Sequence, residues 1–150
     1  MQIEERFESF TVLIMKISRN IRKIKTEEMA EFNLKSPHVS CIYYLYAAGP
    51  MTSKELCRMC KEDKAAVSRS IDYLEREGYI SCDTQAKKRY NSPLALTEEG
   101  KVVGKRISEK IDRIFAEASE GLSEENRIIL YRSLQLVSDN MQKMTDNYGD

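Results

Sequence analysis

The sequence specifies a mainly α-helical chain with one small β-hairpin, and three features lead there. Apolar stripes with steps of three and four residues occupy both ends of the chain. Between them, two short helical patterns meet at a turn around Lys61 and Glu62. Directly after Gly78 the apolar period drops to two, at Ile80 and Cys82 and again at Leu94 and Leu96, the pattern of two half-buried strands.

The N-terminal stripe is Ile3, Phe7, Phe10, Ile14, Ile17, Ile21 and Ile24, whose alternating steps are the seam of one helix packing on another. Arg19, Arg22, Lys23 and Lys25 fall off that seam and read as a solvated face. Ser36 is placed to cap the next helix and Pro37 suits its first turn. That helix runs through about Ala47, and Gly49 and Pro50 end it. It carries His38, Cys41, Tyr43, Tyr44 and Tyr46, an aromatic and polarisable cluster.

Thr52 and Glu55 stand in the capping-box relation, so a short helix starts near Ser53. Leu56, Met59 and Cys60 are its expected core contacts. Asp63 caps a second helix whose buried face is Val67, Ile71 and Leu74, and Gly78 terminates it. At 100° per residue, Ala65, Ser68, Arg69 and Asp72 fall opposite that face. Small side chains there allow close approach to a groove, while Lys64, Ser68 and Arg69 supply donors. The turn between the two strands holds Lys87, Lys88 and Arg89, a positive tip. Thr97 caps a further helix with Glu98 and Glu99 in its first turn, where the helix dipole favours them. The seam pattern returns at Leu130, Leu134, Val137, Met141 and Met144.

From Asp63 to Ile80 (DKAAVSRSIDYLEREGYI) and from Leu94 to Gly100 (LALTEEG), the chain resembles the MarR family of winged helix-turn-helix bacterial transcription regulators. The likeness extends over nearly the whole sequence. It implies a homodimer that binds a pseudo-palindromic operator in double-stranded DNA, most often as a repressor, released by a small-molecule effector or by oxidation. It also implies one domain over residues 1–150, in which 36–97 form the DNA-binding lobe and 1–35 with 98–150 form the helical dimerisation region. Lys64, Ala65, Ser68 and Arg69 would then approach base edges. Ser53 and Lys54 would position the phosphate backbone, and Lys87, Lys88 and Arg89 would engage phosphate or the minor groove. The wing departs from the family pattern, which commonly has Asp before the arginine matching Arg89 and a second Arg after it; here Lys88 and Tyr90 stand there. Family effectors lodge where the dimer platform meets the DNA-binding lobe, which makes His38, Cys41 and Tyr44 candidate effector residues. Read without the family, the same side chains divide between core and surface.

Lysine and arginine number 24, aspartate and glutamate 24, so the net charge is zero and any affinity for DNA must come from locally placed charge. The longest apolar run, Val12 to Met15, is far short of a bilayer span, and the N-terminus lacks a signal-peptide layout, so a cytoplasmic protein without membrane contact is expected. Cys57 and Cys60 form a C-x-x-C without a second close-spaced pair, so neither metal nor other cofactor is expected. No cysteine precedes Cys41, whereas thiol-sensing relatives carry theirs near the N-terminus; a redox-sensing regulator stands as an alternative. No phosphate loop, dinucleotide glycine fingerprint or nucleophile frame marks an enzyme. A winged-helix module that binds protein rather than DNA is the other alternative, and Arg69 separates the two, since a DNA reader needs its charge.

Overall fold

The structure is a computed structural model that describes residues 7–82 and 92–149. Helix α1 (Phe7–Met29) leads through a short 3-10 turn (Ala30–Phe32) into α2 (Ser36–Ala48), α3 (Ser53–Cys60) and α4 (Lys64–Arg76). Strands β1 (Ile80–Cys82) and β2 (Leu94–Leu96) follow, then α5 (Glu98–Ala118) and α6 (Glu124–Asp146). The strands pair antiparallel with Ile80 opposite Leu96 and Cys82 opposite Leu94. Met51 extends the pairing, exchanging backbone hydrogen bonds with Leu94 of 2.8 and 3.1 Å. The mainly helical, winged helix-turn-helix architecture is therefore present, although the wing tip lies outside the described residues.

Local hydrogen bonds explain where the elements begin and end. The Thr52 hydroxyl accepts from Glu55 N–H at 3.2 Å while the Glu55 carboxylate accepts from Thr52 N–H at 2.8 Å, closing the capping box of α3. Lys61 adopts a left-handed conformation (φ 52°) that stops α3, and Asp63 Oδ1 accepts from Ala66 N–H at 2.8 Å to start α4. At the far end of α4, Tyr79 N–H reaches the Leu74 carbonyl at 2.8 Å and Gly78 N–H that of Glu75 at 3.2 Å. With Gly78 at φ 82°, that is a Schellman closure, and it delivers the chain directly into β1. The Thr97 hydroxyl accepts from Gly100 N–H at 3.1 Å and donates to the Gly78 carbonyl at 2.6 Å, so one side chain both caps α5 and ties it to the end of α4.

Two local expectations are corrected. Ser36 does not cap α2: Val39 N–H already bonds the Lys35 carbonyl at 3.1 Å, so the helix begins one residue earlier and Ser36 sits inside it. His38 takes the reciprocal position, its Nδ1 accepting from Lys35 N–H at 3.3 Å. Met59 is not a core contact; it is 42 % exposed, while Leu56 is fully buried and Cys60, partly buried, packs against the core as expected.

The contacts divide the chain into two compact units, Met1–Ile111 and Asp112–Asp150. The first has its core around α2, where Ile42 and Leu45 meet Leu56 of α3, Val67, Ile71 and Leu74 of α4, Ile80, Leu94 and Ile107. Helix α5 approaches α2 closely at Gly104, where an added Cβ would stand 2.9 Å from that of Tyr46. The end of α1 and the 3-10 turn after it are held to α5 by charge: Arg106 reaches Glu31 at 2.6 Å, and Lys110 reaches Glu31 at 2.6 Å and Glu28 at 3.4 Å. Hydrogen bonding from Lys110 holds the Glu31 carboxyl below its ordinary value. In the second unit Ser123 caps α6 by accepting from Asn126 N–H at 3.1 Å, and Phe115 stacks on Tyr131 with ring centres 5.6 Å apart.

Both end stripes are open to solvent in the single chain. On α1, Ile14, Ile17, Ile21 and Ile24 are 39 to 53 % exposed; Ile3 and the side chain of Phe7 lie outside the described residues. On α6 no residue is buried, and Leu130, Leu134, Met141 and Met144 are all exposed. Among the described residues, no helix is long and apolar enough to cross a membrane.

Candidate nucleic-acid interface

Helix α4 has two faces with opposite fates. Val67, Ser70, Ile71 and Leu74 are buried, while Lys64, Ala65, Ser68, Arg69 and Asp72 are exposed. Its register is set from both ends, by the Asp63 cap and by the Schellman closure at Gly78, so the exposed face cannot rotate without breaking the core.

On one flank, α3 and α4 enclose an open groove of about 560 Å³. Ser53, Lys54 and Arg58 line it from α3, and Lys64, Ser68 and Asp72 from α4. Four of the expected DNA-contacting residues thus converge on one surface. Arg58 was passed over in the sequence, yet the signal was there: it stands one helical turn beyond Lys54, on the same side of α3. Lys87, Lys88 and Arg89 lie outside the described residues.

Arg69 belongs to the other flank. With Tyr73 and Arg76 of α4 it lines a solvent-open cavity of about 900 Å³ completed by Thr26, Ala30, Lys35 and His38. The floor is layered: the His38 and Tyr73 rings stack 4.2 Å apart and 4° from parallel, and the Arg76 guanidinium lies 5.6 Å from the centre of the Tyr73 ring. Burial, assisted by the charge of Lys35, lowers the His38 pKa below the usual histidine value and favours the neutral ring. Lys35 and Arg76 also escaped the sequence reading; Arg76 follows Arg69 by seven residues, two helical turns, on the same stripe.

The three candidate effector residues do not share this cavity. His38 lines it, whereas Cys41 is buried on the side of α2 that faces α3, its Sγ 4.0 Å from that of Cys60. Tyr44 is half-buried, and burial together with the Cys60 and Tyr43 charges raises its hydroxyl pKa. Tyr43 packs edge-on against it, ring centres 5.3 Å apart. Cys57 points elsewhere again, into the groove between α3 and α4, and donates to the Glu62 carbonyl at 3.5 Å.

Residues 32–89, from the end of the 3-10 turn to beyond β1, match the model of the MarR family. An uncharacterized HTH-type transcriptional regulator of Bacillus subtilis, YwoH, is 30% identical over 94 residues, 63% of this chain and 68% of that protein. The chain belongs to the MarR family. A second uncharacterized HTH-type transcriptional regulator, from Bacillus cereus, is 23% identical over 131 residues, 87% of each chain. In solved structures, the fold is similar to a MarR family regulator from Neisseria meningitidis (TM-score 0.75, 18% identity, covering 98% of this chain and 99% of that one). It is also similar to MepR of S. aureus in its DNA-binding conformation (TM-score 0.78, 19% identity, 88% and 98%) and in a MepR-DNA complex (TM-score 0.76, 19% identity, 88% and 97%). This MarR-family chain is accordingly a transcriptional regulator.

Proposed function

We propose that this MarR-family regulator binds a pseudo-palindromic operator as a homodimer and acts as a repressor. The observation that carries the reading is α4, whose exposed face offers Lys64, Ala65, Ser68 and Arg69 while its other face is anchored in the core. Small side chains bring the backbone close to a major groove, and Arg69 suits bidentate recognition of a guanine edge. Ser53, Lys54 and Arg58 on α3 flank that helix as phosphate contacts, as the groove geometry supports. The MepR-DNA complex is a precedent within the same fold.

The dimer reading rests on the apolar stripes of α1 and α6. Leu130, Leu134, Met141 and Met144 in water forgo about 25 cal/mol for every Å² of apolar surface that a second copy would cover. Residues 1–35 and 98–150 would form that dimerisation region and 36–97 the reader, which sets half-sites about one helical turn apart. Within the reader, the cavity of Lys35, His38, Arg69, Tyr73 and Arg76 combines stacked rings with cationic side chains, the chemistry that holds a planar anionic effector. Such a ligand would engage Arg69 directly and draw it from DNA, shifting the population toward the released state.

Selection of fragmented host genomic DNA on the purified protein at physiological salt, with Arg69→Ala alongside, tests the reading. Enrichment of a palindromic site by the wild type and its loss by the variant is the expected result. No enrichment, or equal enrichment by both proteins, would overturn it and move weight to a protein-binding module.

A further inference from the structure

Helices α1 and α5 each carry five lysines and arginines, and the two sets meet different surroundings. On α5, Lys101, Lys105, Arg106, Lys110 and Arg113 each have a carboxylate within 4.0 Å. On α1, Lys16, Arg19, Arg22, Lys23 and Lys25 are all exposed, and no acid occurs between Glu8 and Glu27. None of these five has an ion-pair partner among the described residues. In a chain of zero net charge this excess is local, and it is directional. Val12, Met15, Arg19, Arg22 and Thr26 follow one another by three or four residues and form one stripe of α1. At 100° per residue it lies opposite the seam of Ile14, Ile17, Ile21 and Ile24, so a second copy that covers the seam leaves the stripe in water. Its upper part, from Val12 to Arg22, lines an open hollow of about 540 Å³, and Thr26 lines the cavity that also holds Lys35, Arg69 and Arg76. Among the described residues no carboxylate lines either one.

We propose that the Arg19 and Arg22 stripe of α1 is a second nucleic-acid contact, which holds the phosphate backbone of the duplex that α4 reads, on the flank of α4 away from Lys54 and Lys64. The array is extended: from Arg19 to Thr26 the helix rises about 10 Å, and Lys35, Arg69 and Arg76 continue it. One DNA strand carries a phosphate about every 3.4 Å of helix axis, so the α1 part alone matches about three in succession. A small anion would neutralise one or two of these cations, whereas a duplex backbone meets them in series. Exposed arginines on a helix surface reach phosphate oxygens and not base edges, so the stripe adds affinity and salt dependence without sequence preference. The stripe stands on its own charge and exposure; its place beside the same duplex rests on the reading of α4 as the recognition helix.

The experiment measures affinity against salt for two duplexes, the palindromic site enriched from host genomic DNA and an arbitrary sequence of equal length. Arg19→Ala with Arg22→Ala is compared with the wild-type chain, and Lys101→Ala with Lys105→Ala serves as the control from the paired cations of α5. Losing two phosphate contacts lowers the salt slope by about 1.8, so raising salt from about 50 to 200 mM should weaken the wild type about tenfold more than the α1 variant. The change is expected on both duplexes alike, with the same palindrome still enriched and the thermal midpoint unaltered. The α5 control is expected to follow the wild type, and Arg19→Lys with Arg22→Lys to keep the slope. An unchanged slope in the α1 variant overturns the proposal, as does an equal drop in the α5 control, which would reduce the effect to overall charge. Unchanged duplex slopes with a loss of RNA retention would give the stripe to RNA and overturn it equally. A wild type that enriches no palindrome, yet whose slope on the arbitrary duplex depends on Arg19 and Arg22, overturns the reading of α4 and leaves the stripe standing.

Discussion

Helices α4 and α6 are both amphipathic, yet α4 buries Val67, Ser70, Ile71 and Leu74 while α6 buries nothing. The difference is not in apolar content, since Leu130, Leu134, Leu136, Met141 and Met144 all lie on α6. It lies in what surrounds each helix. Helix α4 is joined to α3 and β1 by turns so short that its apolar face is delivered onto α2. An apolar stripe therefore states that a face wants cover; topology decides whether the same chain supplies it.

The sharpest way to break that contrast is at α6. Leu130→Asp with Leu134→Asp is expected to turn a micromolar dimer into a folded monomer in sedimentation velocity, because buried, unpaired carboxylates at an interface are strongly unfavourable. A dimer that survives both charges would remove α6 from the interface. The complementary change, Leu74→Ala, is expected to cost about 2–5 kcal/mol in urea unfolding, since a fully buried leucine leaves a cavity. A loss below about 1 kcal/mol there would mean that the α4 core is looser than its packing shows.

Smaller effects test the exposed face and its supports. Arg69→Ala is expected to weaken operator binding by about 1–3 kcal/mol and to relax one base preference, whereas Lys54→Ala should weaken all duplexes alike and flatten the salt slope by about one unit. Equal losses on operator and random DNA for both variants would refute that division of roles. Thr52→Ala, which removes one half of the capping box, should lower stability by about 1 kcal/mol with little change in DNA specificity. The smallest effect is a pH dependence. His38 has its folded-state pKa lowered, so protons favour the unfolded chain; the contribution is present above the unfolded value of about 6.5 and is lost as pH falls below it. Thermal midpoints of the wild type should therefore drop more between pH 7 and pH 5 than those of His38→Gln.

Much of the reader was legible in the residues because its signals are short-ranged. The Thr52–Glu55 box, the Asp63 cap and the Gly78 stop each involve groups only a few positions apart, and each stands where the sequence puts it. Ser36 misled for the same reason: a good capping residue sat beside a lysine whose backbone N–H had already found His38 Nδ1. Met59 misled because an eight-residue helix has room for little more than one fully buried position.

The candidate effector residues show the other limit. His38, Cys41 and Tyr44 share one helix, but they fall on different sides of it and meet different neighbours. Periodicity could group His38 with Cys41 and could not say that Tyr73 covers one and Cys60 the other.

What the sequence determined by itself is the helix-turn-helix with its Thr52, Asp63 and Gly78 boundaries and the exposed face of α4, because backbone hydrogen bonding and the 100° step per residue act within a few positions. The tertiary structure alone decided the His38–Tyr73 stack, the separation of Arg69 from the groove of Lys54 and Lys64, and the 4.0 Å approach of Cys41 to Cys60. Those depend on how α2 packs against α3 and α4, and that packing is chosen by close fit across the whole core rather than by any local pattern.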